Sequence, residues 1–130
     1  MSYGITTTVD TTVEEALEAV REALSAQGFG ILTQIDLAAT LKAKLGVDIA
    51  PHVILGACNP PLALRALQVE ESIGLLLPCN VVIRSTDTGQ TVIEALDPQL
   101  MVEVTGNDRL LAVAEDAAGR LRAALAGLGR

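Results

Sequence analysis

Cys79-Asn80-Val81-Val82-Ile83-Arg84-Ser85-Thr86-Asp87-Thr88-Gly89-Gln90-Thr91-Val92-Ile93-Glu94-Ala95 is the stretch that decides the fold class. Two β-branched runs flank a polar segment, Ser85 to Gln90, in which Asp87 and Gly89 signal a turn. β-Branched side chains suit a pleated, half-buried surface. A short connection containing Gly returns the chain antiparallel to itself. Upstream, the apolar run Leu75 to Ile83 is interrupted by Pro78. Proline cannot donate to a ladder, so the strand is expected to start near Cys79. The reading is a hairpin, and with it an antiparallel sheet.

Working outward, His52 to Cys58 is apolar enough for a strand buried on both faces. Asn59-Pro60-Pro61 follows. Asn is a good N-cap and Pro a good first helical residue, so Leu62 to Val69 is expected as a short helix. Phe29 to Ile35 reads as another strand, with Phe29, Ile31 and Ile35 on one face and Leu32 and Gln34 on the other. Asp36 can cap a helix through Leu45, with Leu37, Leu41 and Leu45 stacked on one side. Thr6 to Val9 reads as a first strand.

Between these lies an amphipathic helix. Thr11 with Glu14, or Thr12 with Glu15, has capping-box spacing, and Val13, Leu17, Val20 and Leu24 share a stripe. Gly28 suits the left-handed residue that stops it. Beyond the hairpin, Asp97-Pro98 is expected to open a short helix, and Gly106-Asn107-Asp108 to break and recap it. Leu110, Val113, Ala114, Ala117, Leu121 and Leu125 form the core stripe of a long last helix. The sum is an α+β domain, an antiparallel sheet packed against helices.

Composition bounds the function. A chain of 130 residues fits one domain with a real core. Half of its residues are hydrophobic, yet Tyr3 and Phe29 are its only aromatics. The net charge of −7 argues against a phosphate-backbone partner, and the missing aromatics remove base-stacking platforms. Nucleic acid is therefore not an expected partner. Met1-Ser2-Tyr3-Gly4 has no basic or apolar leader character, and no apolar run reaches the ~20 residues that span a bilayer. A cytoplasmic location without membrane contact is expected, with both cysteines reduced.

Those two cysteines sit in near-matching contexts, Gly56-Ala57-Cys58-Asn59-Pro60 and Leu77-Pro78-Cys79-Asn80. A thiolate is both nucleophile and metal ligand, and a helix start lowers a thiol pKa. Cys58 stands beside such a start, although Pro60 and Pro61 offer no N–H. Against this, free cysteine is often a small buried hydrophobe. Cys79 carries the same ambiguity. His52, the only histidine, alternates onto the face of Ile54, Gly56 and Cys58. With Cys79 it would give a partial metal set, but the spacing matches no standard site and a fourth ligand is missing. No metal is therefore assigned, and no cofactor is named. Gly56 leaves space beside Cys58 for a pocket or a close-packed neighbour. Asn59 and Asn80 could orient a ligand, or serve as a cap and a strand-end partner. Asp36 could act as a base, but capping is the simpler role. No nucleophile elbow, phosphate loop or Cys-x-x-Cys pattern is present.

Four spaced blocks now stand out: Gly28 to Asp36, Thr40 to Gly46, Ile54 to Pro60, and Gly74 to Val82. In this order they resemble the bacterial and archaeal family catalogued as domain of unknown function 302, over nearly the whole chain. The resemblance implies one domain over residues 1–130, a fold grouped with the TATA-box-binding-protein-like proteins, and a homodimer. The family's characteristic cysteines match Cys58 and Cys79. No activity comes with the resemblance, and the fold name implies no DNA binding, because function lives in sites.

Three functions compete. The first is a homodimeric module that binds a small ligand or a partner, with Cys58, Asn59, Cys79 and Asn80 at the rim of a pocket and His52 and Asp36 as further contacts. The second is a thiol-based enzyme or sulfur carrier using Cys58 with Cys79. The third is a purely structural dimerisation domain with inert cysteines. No catalytic motif separates them.

Overall fold

In a computed structural model that describes residues 2–128, the chain runs β1 (Gly4–Val9), α1 (Val13–Ala26), β2 (Gly30–Asp36), α2 (Leu37–Leu45), β3 (His52–Cys58), α3 (Pro60–Val69), β4 (Cys79–Ser85), β5 (Thr91–Leu96), α4 (Leu100–Thr105) and α5 (Leu111–Ala126). Short 3-10 segments, Glu71–Leu76 and Asp108–Leu110, precede β4 and α5. The strands form one antiparallel sheet in the order β1-β5-β4-β3-β2. It is an α+β fold in which β2 to β5 form a meander and β1 closes the far edge. The single domain expected over residues 1–130 includes Met1, Gly129 and Arg130, which lie outside the described residues.

Local chemistry sets the helix starts. Thr12 makes the capping box with Glu15, its hydroxyl accepting from the Glu15 amide at 3.1 Å. The acidic first turn, Glu14 and Glu15, also faces the positive end of the helix dipole. Gly28 follows at φ +86°, where a side chain would be strained. Asp36 caps α2 by accepting from the Ala39 amide at 2.9 Å, and Gly46 closes it in the left-handed conformation. The helix start expected at Asp97-Pro98 needs correction. Asp97 Oδ1 accepts from the Gln99 amide at 3.0 Å, so it caps a turn, and α4 begins only at Leu100.

The core has two parts. The larger joins Val20 and Leu24 of α1 and Leu121 and Leu125 of α5 to the sheet through Leu55, Val81, Ile83 and Ile93. The smaller lies beside the sheet, where Leu62, Ala66, Ile73, Met101, Leu110, Val113, Ala114 and Ala117 meet. α5 runs through both, and its small alanines allow that close approach.

Three expectations about faces change. β3 is not buried on both faces: Val53, Leu55 and Ala57 point to the helices and are buried, whereas His52 and Ile54 on the other face are half-buried. β2 contains a register shift between Ile31 and Thr33. Ile31 pairs with core-facing Ala57, but beyond the bulge Gln34 pairs with core-facing Leu55 and Ile35 with Ile54. The extra residue moves Ile35 to the helix-free face, away from Ile31. Gln34 instead meets Arg21 of α1 through a hydrogen bond. Lastly, α2 buries no residue, and Leu45 of the expected leucine stripe is 69% exposed.

Candidate thiol site at the seam of two cores

β3 ends at Cys58, and β4 begins at Cys79. The register pairs Ala57 with Cys79, and Cys58 is the next residue along β3. Both thiols are free and half-buried. Both line one cavity of about 30 Å³, together with Asn59, Leu62, Ala66, Leu77 and Met101. Phe29 and Ala57 belong to the larger core, and Leu62, Ala66 and Met101 to the smaller. The cavity therefore lies at the seam where the two cores meet, with α3 as its roof.

Asn59 builds that roof. Its Oδ1 accepts from the Leu62 amide at 3.3 Å, capping α3, while its Nδ2 donates to the Gln27 carbonyl at 3.4 Å. Arg120 also donates to that carbonyl, at 3.3 Å, and to Asp116 at 2.8 Å. Arg65 of α3 reaches the same carboxylate at 3.6 Å. These contacts tie the end of α1, the start of α3 and the middle of α5 together. Both ends of the Asn59 amide are thereby committed to structure.

Cys79 is pushed up from 9.0 to about 11, first by burial and then by the Cys58 charge beside it. A desolvated thiol resists ionisation, and a neighbouring thiolate opposes it further. The two sulfurs thus sense one another across an apolar space.

Gly56 explains part of this arrangement. A Cβ there would run into Thr33 Oγ1 and come within 2.9 Å of Pro78 Cγ. Pro78 follows a cis peptide bond and leads directly into Cys79. The missing side chain lets β2, β3 and the entry to β4 approach closely. The space read from the sequence beside Cys58 is therefore filled by neighbours.

The remaining candidates lie elsewhere. His52 is six residues from Cys58 along β3, roughly 20 Å at the usual strand rise. It does not join the thiols. His52 and Asp36 instead line an open cleft of about 700 Å³ with Glu14 and Gln34, between the start of α1 and α2. Asn80 is exposed and, with His52, Arg84 and Glu94, lines a shallower space of about 320 Å³ on the helix-free face. Arg84 and Glu94 pair there at 3.1 Å. Among the described residues, no group of three or more His, Cys, Asp and Glu is placed to hold a metal ion. Sequence reasoning missed Met101, which reaches the cavity from α4. A lone apolar residue in a short helix carries no signal of its destination.

A single antiparallel sheet with helices stacked on one face and paired thiols at one end defines a compact α+β class. A family profile described as "Domain of unknown function DUF302" matches residues 5–128. The chain belongs to that family. It is similar to a solved structure described as the crystal structure of uncharacterized conserved protein DUF302 from Bacillus stearothermophilus. Identity is 33%, coverage is 98% of this chain and 99% of the other, and the TM-score is 0.92. No curated protein matches. No helix among the described residues is long and apolar enough to cross a membrane.

Proposed function

We propose that this chain is a homodimeric thiol module, in which Cys58 and Cys79 together serve one very small occupant or reactant. The observation that carries this reading is the shared cavity: both cysteines, from different strands, line the same 30 Å³ space. That volume exceeds the ~10–15 Å³ that admits one water, but falls far below the ~300 Å³ of a metabolite pocket. The occupant is thus of atomic size. Cys58 is the attacking group, because Cys79 holds its proton up to about 11. Cys58 Sγ attacks a sulfur electrophile, its leaving group departs, and a mixed disulfide forms. Cys79 can then attack that disulfide, releasing the carried sulfur as a thiol and leaving a Cys58–Cys79 bond.

The test is intact-mass analysis of the native protein after treatment with methyl methanethiosulfonate or a bulky maleimide. Cys58 is expected to take the small reagent first and the bulky one slowly. Neither thiol reacting over hours, while the urea-unfolded chain reacts fully, overturns the reading.

Two observations support further parts of the proposal. A second copy is the expected cover for α2 and the helix-free face, where Leu45, Val47 and Ile35 are exposed. Light scattering is expected to return twice the chain mass. A small-molecule role is favoured at the Asp36–His52 cleft, whose volume of about 700 Å³ is of the usual size and which gathers a carboxylate and an imidazole. A thermal-shift screen in which His52→Ala abolishes every hit would establish that role, and a screen without hits would remove it.

A further inference from the structure

The chain has four sulfur-bearing residues, Met1, Cys58, Cys79 and Met101. Three of them line the same cavity. They come from the end of β3, the start of β4 and the first turn of α4. Met101 is only 5% exposed and belongs to the smaller core, so its thioether is held at the seam. Within α4 the Thr105 hydroxyl donates back to the Met101 carbonyl at 2.6 Å.

We propose that this cavity is a soft-metal site, in which Cys58 Sγ, Cys79 Sγ and Met101 Sδ bind one monovalent copper ion. This rests on the reading of the cavity as a shared thiol site and names its occupant. Thiolate and thioether are the ligands that select Cu(I). Cu(I) has a filled d shell and accepts two or three soft donors, so this set is sufficient without water. Zinc requires a fourth donor in a closed site. None is present: Asn59 is consumed by its two hydrogen bonds, and no carboxylate or imidazole lines the cavity. Calcium and magnesium require oxygen ligands, which the aliphatic walls do not supply. The volume suits one ion and no chelated complex.

The balance is simple. Two S–H bonds break, three S–Cu bonds form, two from thiolates and one from the neutral thioether, two protons leave to solvent, and no electron moves. The cation lies between two sulfurs whose paired charges would otherwise repel in an apolar space. Copper must therefore arrive already reduced.

The test uses the reduced full chain under anaerobic conditions, titrated with Cu(I) in competition with bathocuproine disulfonate. The expected result is one copper per chain and a near-ultraviolet thiolate-to-copper band. Cys58→Ser and Cys79→Ser are each expected to weaken binding by at least about a hundredfold, and Met101→Leu by about tenfold. Leu replaces Met at nearly constant volume, so Met101→Leu should keep the urea midpoint of the parent. A lost copper affinity is then a lost ligand and not a lost fold. His52→Ala should bind copper as the parent does. The proposal is overturned if the parent yields all its copper to the competitor, if Met101→Leu binds unchanged, or if zinc is held as tightly as copper. Failure here with Cys58 still reactive toward methyl methanethiosulfonate removes copper and leaves the thiol module standing. Failure of both removes the site.

Discussion

α2 and α3 flank the same strand and start by the same chemistry, yet they meet opposite fates. Asp36 caps α2 through the Ala39 amide, and Asn59 caps α3 through the Leu62 amide. Each helix is short and rich in Leu and Ala. α3 buries Leu62 and Ala66 and roofs the thiol cavity, whereas α2 buries nothing. The lesson is that a cap and an apolar run specify that a helix forms, and the rest of the chain specifies what covers it. Chemistry follows the cover. The thiols lie under α3 in a small, mostly apolar space, while Asp36 and His52 lie beside α2 in an open cleft.

The comparison can be broken most directly at its leucines. Leu62→Ala should cost about 2–5 kcal/mol, the range for a buried Leu whose site cannot collapse. Leu45→Ala should cost less than about 0.5 kcal/mol within one chain, as at other exposed positions. Equal losses in urea melts would show that the two helices are not differently packed. If α2 is the seam of the proposed dimer, Leu45→Asp should instead give single chains in light scattering where the parent gives twice that mass.

The caps provide a sharper contrast. Asn59→Ala removes both the cap and the bond to Gln27, and should cost about 1–2 kcal/mol. Asp36→Ala removes only an exposed cap and should cost about 0.5–1 kcal/mol. The order of the urea midpoints decides it.

The last contrast is a pH dependence. Folded Cys79 keeps its proton up to about 11, compared with 9.0 ordinarily. Above pH 9 the unfolded thiol ionises while the folded one does not, so the unfolded state binds fewer protons. Stability must therefore fall as pH rises from about 9 to about 11. Replacing Cys79 by Ala should flatten that slope in midpoints measured across the window. An unchanged slope would place Cys79 in water.

How much of this was legible in the sequence follows from the range of each interaction. The hairpin, the Thr12–Glu15 box and the Asn59 cap act over three or four residues, and each forms as read. The bulge in β2 was not legible, because it depends on the partner strand, and it reversed the face of Ile35. For His52, the length of β3 separates it from Cys58. Asn80 shares a motif with Cys79 and still points to the exposed side. Met101 was invisible, since its arrival at the thiols depends on how α4 folds over the sheet end.

The bulge between Ile31 and Thr33 has a consequence for the crowded cell. β2 is an edge of the sheet, with a row of backbone donors and acceptors that a stray strand could extend. Two residues opposite one break that row partway along and twist what remains. An incoming segment can match half of the edge, but not all of it. Deleting Leu32 is expected to restore an even edge to which a second strand could pair along its full length. One surplus residue thus limits how many copies of the chain can join.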